Sequence, residues 1–171
     1  MGEGVRPESV ASATAVLTRP LQTEFAQELD PDTLADAIAR HMLAAEGTGP
    51  AWCVEIEEAK EGYARVRMAL RPDMLNGHGI GHGGMIFALA DTAFAYACNG
   101  RNLRTVAAQA SIVFLDAAQP GEVLVAEARE AALVGRSGVT HVGVRTQDGR
   151  AIAEFTGFSR SIGGPLIGES A

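Results

Sequence analysis

The chain of 171 residues is poor in cysteine, in positive charge and in long hydrophobic runs. Its two cysteines, Cys53 and Cys98, match no metal-binding or redox spacing, so we expect reduced, buried thiols in a cytoplasmic protein, with a disulfide between them as the alternative. The formal net charge of −7 argues against a nucleic-acid partner, because binding to the phosphate backbone requires a basic face. No run is long enough to span a membrane, and residues 10–17 are too short, and too interrupted by Ser12 and Thr14, to form a signal peptide.

A convincing nucleophilic serine or cysteine is also absent. No nucleophile elbow surrounds Ser137, Ser159 or Ser161, and Cys98 lies near the end of an apolar stretch. Without such a nucleophile, carboxylate chemistry is left. The composition, with 47% hydrophobic and 20% charged residues, fits a compact domain with a substantial core.

What the chain does have is a glycine-rich segment, residues 76–84 (NGHGIGHGG), that leads directly into an apolar helix. Its glycines permit backbone turns that side chains forbid and let a ligand approach the main chain closely. Residues 85–99 contain neither glycine nor proline, and their apolar positions recur at the spacing of a buried helix face. The unpaired N–H groups at the start of this helix, at Gly83 and Gly84, would lie at the positive end of the helix dipole and suit an oxyanion. The alternative is an ordinary helix start after a flexible loop.

One carboxylate, Asp91, interrupts the apolar helix. Aspartate is a poor residue for a helix interior, and its sequence neighbours are almost wholly apolar. Desolvation would raise the pKa of Asp91 and prepare it as a base or a nucleophile. The alternative, that Asp91 caps a second helix after a break, has no glycine or proline to support it.

Gly83 and Asp91 are eight residues apart, which corresponds to about 12 Å along one helix. The two groups cannot both reach the same carbonyl from one chain. If both act on one substrate, the donor must come from one chain and the carboxylate from another, across a two-fold axis. The sequence thus predicts a homodimer.

The segment that precedes the glycine loop is predicted to contain a helix and a hairpin. Residues 1–29 show no clear periodicity, and we expect them to be loosely attached and to carry no chemistry. Asp30 and Pro31 are typical of an N-cap and a first helical residue, and the amphipathic pattern ends at Gly47. An alternating pattern that begins at Trp52 then predicts a strand, which Gly62 turns into a second strand.

After the central helix, turn residues separate four further strands, predicted over residues 105–115, 122–132, 139–146 and 151–161. One helix between two early strands and four later ones predicts an α+β domain whose antiparallel sheet curls around the central helix, with an extra N-terminal helix. We divide the chain into an N-terminal extension, residues 1–47, and the main domain, residues 48–171.

His78 and His82 are candidate zinc ligands, since an i,i+4 pair of histidines on a helix can bind that metal. Glycines lie between them, no glutamate accompanies them, and no third ligand is close in the sequence. We therefore expect no metal site. His82 fits better as a neutral side chain at the helix start, because the positive dipole end opposes its protonation.

Four motifs resemble those of the hotdog-fold phenylacetyl-CoA thioesterase family: residues 76–78, 82–84, 89–99 and 162–164. The resemblance extends over about residues 48–170. It implies a hotdog fold, hydrolysis of acyl-CoA thioesters with a preference for hydroxylated phenylacetyl groups, no metal or organic cofactor, and assembly as a homodimer and further as a homotetramer.

The same resemblance implies that Asp91 is the catalytic carboxylate, that the Gly83 N–H forms the oxyanion hole, and that Asn76 and His82 are polar groups of the same pocket. We also expect Gly84, Thr92 and Arg160 to contact the substrate. CoA is polyanionic and requires a local basic patch, for which the candidates are Arg101, Arg104, Arg136 and Arg160.

The chain departs from the family pattern after Phe114. Related enzymes commonly carry a basic residue just before the proline there, whereas this chain has Asp116 and a longer connection. Two other functions remain open. One is a hotdog hydratase or dehydratase that uses His82 and Asp91 on an acyl thioester, and the other is an acyl-CoA-binding protein without catalytic activity.

Overall fold

The computed structural model describes residues 29–168. The first helix, α1 (Pro31–Ala45), begins where the Asp30 carboxylate accepts hydrogen bonds from the backbone N–H groups of Asp32 (3.2 Å) and Thr33 (3.1 Å). This confirms the predicted cap. Residues 1–28 of the predicted N-terminal extension lie outside the described part of the chain, and the division at residue 47 stays a prediction.

The predicted start of the first strand is wrong. Residues around Trp52 form a short helix, α2 (Thr48–Trp52), which ends where Cys53 adopts a left-handed conformation (φ 56°). The alternation that indicated a strand was carried by few residues, so a local helical turn could override it. Cys53 is exposed, contrary to expectation, and both cysteines are free thiols. Burial raises the pKa of the Cys98 thiol to about 12, which is the opposite of an activated nucleophile.

Six strands form one antiparallel sheet in the order β1-β2-β4-β5-β6-β3. Their bounds are β1 (Glu55–Lys60), β2 (Tyr63–Ala69), β3 (Thr105–Phe114), β4 (Val123–Val134), β5 (Ser137–Thr146) and β6 (Ala151–Ser161). The predicted hairpin, with Gly62 at its turn (φ 71°), and the four later strands are confirmed. A short 3-10 turn, Pro72–Met74, connects β2 to the glycine-rich loop.

The central helix, α3 (Gly83–Asn99), packs against the inner face of the sheet. Ala90, Ala93 and Ala97 are fully buried, so the sheet can approach the helix closely. The far end of α3 is tied to α1 by the Tyr96 hydroxyl, which donates a hydrogen bond to Glu46 (2.7 Å). This is the predicted α+β arrangement. No helix within residues 29–168 is both long and apolar enough to cross a membrane.

Strand β3 forms one edge of the sheet and has β6 as its neighbour on one side. It is exposed along most of its length, including Val106 (46%), Val113 (61%) and Phe114 (50%). An apolar edge of ten residues with open backbone groups is a template for pairing with another strand.

Gly157 of β6 provides a test of the helix–sheet packing. A Cβ there would lie 2.7 Å from the Phe94 ring of α3. We expect Gly157→Ala to lower the free energy of unfolding by about 1–3 kcal/mol, measured by urea denaturation. The matched control is Gly143→Ala, because a Cβ at Gly143 meets the mobile end of Arg145 at 3.3 Å. Equal stability of the two variants would contradict the packing described.

Candidate active site

In the turn that leads into α3, some backbone N–H groups donate hydrogen bonds within the chain and one does not. The N–H of Gly81 donates to the Ala118 carbonyl (2.8 Å), and that of His82 donates to the Met74 carbonyl (2.9 Å). The N–H of Gly84 donates to the His82 side chain (2.9 Å). Within residues 29–168, the Gly83 N–H has no hydrogen-bond acceptor. This one amide is therefore available to a ligand at the positive end of the helix dipole.

His82 is the N-cap of α3, and its ring nitrogen Nδ1 accepts the hydrogen bond from Gly84. A nitrogen that accepts a hydrogen bond carries no proton, so the neutral ring holds its proton on Nε2. The bond also occupies the amide of Gly84. This leaves Gly83, rather than the predicted pair of Gly83 and Gly84, as the open donor.

Asn76 closes the loop that precedes the helix. Its Oδ1 accepts hydrogen bonds from the N–H groups of His78 (2.8 Å) and Ile80 (3.4 Å), and its own N–H donates to the Ile80 carbonyl (2.8 Å). The side-chain Nδ2 has no acceptor within the described residues. Asn76 is thus positioned by its oxygen and can donate through its nitrogen.

Asp91 lies in the interior of α3, which runs without a break, so the alternative that Asp91 caps a second helix is excluded. The side chain is half-buried, and its carboxylate makes no hydrogen bond or ion pair with another residue of the range 29–168. Desolvation raises the pKa of Asp91 above its ordinary value. A half-buried carboxylate without a partner is prepared to take up a proton.

Gly83 and Asp91 do not meet within one chain. They are separated by eight residues of a continuous helix, which places them about 12 Å apart along its axis. The hydroxyl of Thr92, another predicted contact, donates to the Ala88 carbonyl of the same helix (2.9 Å).

Arg160 lies on the outer face of the sheet, away from α3. On β6 it alternates with the buried residues Ser159 and Ser161, and its guanidinium donates to the Ser137 hydroxyl (2.9 Å). The structure therefore does not bring Arg160 together with Asp91. The other candidate arginines make internal contacts, namely Arg101 with Glu61 and Glu130, Arg104 with the Pro165 carbonyl, and Arg136 with the Ser161 carbonyl.

Sequence reasoning missed two neighbours of the turn. The Phe114 ring, at the end of β3, lies so close to Gly83 that a Cβ there would be 3.0 Å from its Cζ. The second neighbour is Ala118, whose carbonyl accepts the hydrogen bond from the Gly81 N–H. Both contacts join segments more than thirty residues apart, and no local spacing could have indicated them.

The chain is similar in sequence and in fold to known thioesterases. Residues 78–153, from the glycine-rich loop to the start of β6, match the thioesterase superfamily. Acyl-coenzyme A thioesterase PaaI of Escherichia coli is 39% identical over 132 residues, which cover 77% of this chain and 94% of that protein. The chain therefore belongs to the thioesterase superfamily, has the hotdog fold, and is a thioester hydrolase.

Within this superfamily, the chain is similar to PaaI in structure as well, which confirms the resemblance found in its motifs. The E. coli PaaI protein from the phenylacetic acid degradation operon superposes with a TM-score of 0.78 at 37% identity, covering 80% of this chain and 99% of that one. A hypothetical thioesterase from Streptococcus pneumoniae, solved with coenzyme A, gives a TM-score of 0.63 at 27% identity, covering 66% of this chain and 90% of that one.

The raised pKa of Asp91 has a consequence for stability. Folded Asp91 keeps its proton to a higher pH than in the unfolded chain, so the contribution of Asp91 to the stability of the wild type falls as the pH rises from 3.8 through the folded value. Asp91→Asn stays neutral, and we expect it to be more stable than the wild type at about pH 7, with no such advantage below 3.8.

Denaturant unfolding at fixed protein concentration and several pH values would measure this difference. Asp73→Asn is the control of opposite sign, because a hydrogen bond from Arg71 lowers the pKa of Asp73. That variant should lose only a little stability at neutral pH, because the Arg71–Asp73 pair is exposed and screened by solvent, and should match the wild type in acid. The desolvation argument fails if Asp91→Asn is no more stable than the wild type at neutral pH.

Proposed function

We propose that the protein is an acyl-CoA thioesterase that hydrolyses aromatic, phenylacetyl-type CoA thioesters to the free acid and CoA. The open Gly83 amide at the start of α3 is the observation that carries this proposal. A thioester carbonyl oxygen would accept a hydrogen bond from it and gain negative charge as the carbonyl carbon is attacked. A preorganised donor of this kind lowers an acyl-transfer barrier by roughly 3–4 kcal/mol.

The attack on the carbonyl carbon depends on Asp91 of a neighbouring chain. Either its carboxylate removes a proton from a water molecule that adds to the carbonyl carbon, or the carboxylate itself attacks and the resulting anhydride is hydrolysed. In both routes the carbon–sulfur bond breaks, CoA leaves as the thiolate and takes up a proton, and one water is consumed. The raised pKa of Asp91 favours proton transfer to this carboxylate.

If Gly83 and Asp91 act on one carbonyl, the length of α3 supports a second chain as the source of one of them, and the edge strand β3 offers a surface to bind that chain. Pairing of β3 with its symmetry copy would satisfy the open backbone groups and cover Val106 and Val113. We propose that this contact brings the Gly83 of one chain to the Asp91 of the other. Assembly of dimers into tetramers and a cytoplasmic location stay predictions from the sequence.

Three findings support the choice of substrate. The similar E. coli protein is an acyl-coenzyme A thioesterase from the phenylacetic acid degradation operon, and the similar streptococcal thioesterase was solved with coenzyme A. In this chain the half-exposed Phe114 ring lies beside Gly83 and offers an aromatic wall next to the carbonyl site. Aromatic rings pair favourably with such a wall.

A panel of acyl-CoA substrates tests the function directly. We expect phenylacetyl-CoA to release free thiol faster than an aliphatic thioester of similar size, such as hexanoyl-CoA. Asp91→Asn should lower kcat at least about 100-fold, because it removes the base or nucleophile. A thiol reagent measures the release, and a change in enoyl-CoA absorbance without thiol would instead indicate a hydratase. Asp91 has no catalytic role if the variant is as fast as the wild type.

Mixed dimers test whether the site is shared. Gly83→Pro removes the amide proton at a position where helices accept proline, and His82 before it already has the extended backbone that proline requires (φ −65°, ψ 129°). Gly83→Ala adds the same Cβ beside Phe114 but keeps the proton. We expect Gly83→Pro to lose far more activity than Gly83→Ala.

Random pairing of Gly83→Pro chains with Asp91→Asn chains should restore about a quarter of the wild-type activity, because half of the dimers are mixed and each mixed dimer has one intact site of two. The two variants are co-expressed and assayed by thiol release. Activity no higher than that of either parent would show that the two groups do not act across the interface.

A further inference from the structure

We infer that Arg150 is a positioning residue for the Gly83 amide, because it holds the β3–β4 connection, residues 115–122, against the turn that carries this amide. The inference rests on the proposed function, which makes Gly83 the oxyanion donor. Arg150 lies in the turn before β6 and does not touch Gly83.

The Arg150 guanidinium joins both ends of the β3–β4 connection. Its Nη1 donates to the Asp116 carboxylate (2.5 Å) and to the Ala117 carbonyl (3.1 Å). Its Nη2 donates to both carboxylate oxygens of Glu122 (2.6 and 2.8 Å). The planar guanidinium holds these three acceptor groups in one fixed arrangement, whereas a lysine ammonium has rotatable donors and does not fix their geometry.

Ala118 lies between the segments that Arg150 binds, and it contacts the turn at Gly81. Ala118 is fully buried, its carbonyl accepts the hydrogen bond from Gly81, and a Cβ at Gly81 would lie 3.1 Å from the Ala118 Cβ. Gly81 is two residues before Gly83. A displacement of Ala118 would therefore move the turn and redirect the open amide.

Apart from Arg150, the middle of this connection is held by a few hydrogen bonds, among them the one from the Gln119 N–H to the Glu122 carboxylate (2.7 Å), the same group that Arg150 binds. Its ends are anchored by backbone hydrogen bonds from Leu115 to Ile152 (2.8 Å) and from Gly121 to Leu70 (2.9 Å). Between them, Asp116, Gln119 and Pro120 are exposed. The ion pairs of Arg150 are themselves part-exposed and contribute little to global stability. Their expected effect is on geometry, where small errors are costly for catalysis.

Arg150→Ala tests the inference. We expect kcat for phenylacetyl-CoA to fall about tenfold while KM changes less than about twofold, because a misdirected oxyanion donor weakens transition-state binding rather than substrate binding. The matched control is Arg145→Ala, which removes a guanidinium paired with Glu154 (2.8 Å). Arg145 makes no hydrogen bond to residues 115–122, so this variant should keep its kcat. Equal kcat values for the two variants would overturn the inference.

A double-variant cycle separates positioning from a general structural effect. In a Gly83→Pro background no amide proton remains to be positioned, so Arg150→Ala should lower kcat no further. A further fall of the same factor overturns the role of Arg150. If Gly83→Pro itself keeps the wild-type kcat, the oxyanion role in the proposed function is what fails. If Gly83→Pro loses activity but Arg150→Ala does not, only the inference fails.

Asp116→Asn is a milder second variant in case Arg150→Ala does not fold. It keeps the side-chain oxygen that accepts the Ala117 N–H (2.8 Å) and removes the charge that Arg150 binds. We expect a smaller fall in kcat, about two- to fivefold, that also disappears in the Gly83→Pro background. A wild-type kcat for Asp116→Asn together with an unfolded Arg150→Ala would count against a positioning role.

Discussion

The site depends on how one turn satisfies its backbone N–H groups. Backbone N–H groups need acceptors, from the protein or from water, and three of the four from Gly81 to Gly84 find one within the chain. The Gly83 N–H has no acceptor in the described range, and it stands at the start of α3. Because its neighbours are already bonded, this donor requires no reorganisation when a carbonyl oxygen arrives, which is the condition for electrostatic catalysis.

The glycines of this loop serve two different purposes. Gly79 adopts a left-handed conformation (φ 74°) that other residues rarely take. Gly81 and Gly83 have no such requirement, but a side chain at Gly81 would meet Leu70 at 3.0 Å, and one at Gly83 would meet Phe114 at 3.0 Å. Their pattern in the sequence indicates backbone freedom and close approach of a ligand for all of them alike, and does not distinguish these two. Close packing, not flexibility, accounts for Gly83, which carries the open amide, and for Gly81, two residues before it.

The sequence was sufficient for features that depend on local pattern. The central helix was predicted within two residues of its start at Gly83, and the four later strands within a few residues, because periodicity and turn residues record them directly. The helix at 48–52 was missed because its pattern is short. The contacts of Phe114, Ala118 and Arg150 were missed for another reason: they join distant segments, and their side chains carry no motif.

A rigid helix also explains why one chain is not enough for the proposed reaction. A flexible loop could bring a donor and a carboxylate together, but α3 is continuous and holds Gly83 and Asp91 about 12 Å apart. Within the described residues, the Gly83 amide, the Asp91 carboxylate and the β3 edge all lack partners, and a desolvated carboxylate lowers stability. In natural proteins, unpaired polar groups and desolvated charges that lower stability are found mainly at functional sites. A two-fold contact at β3 would meet all three needs with a single partner, which is why we favour it over three unrelated explanations.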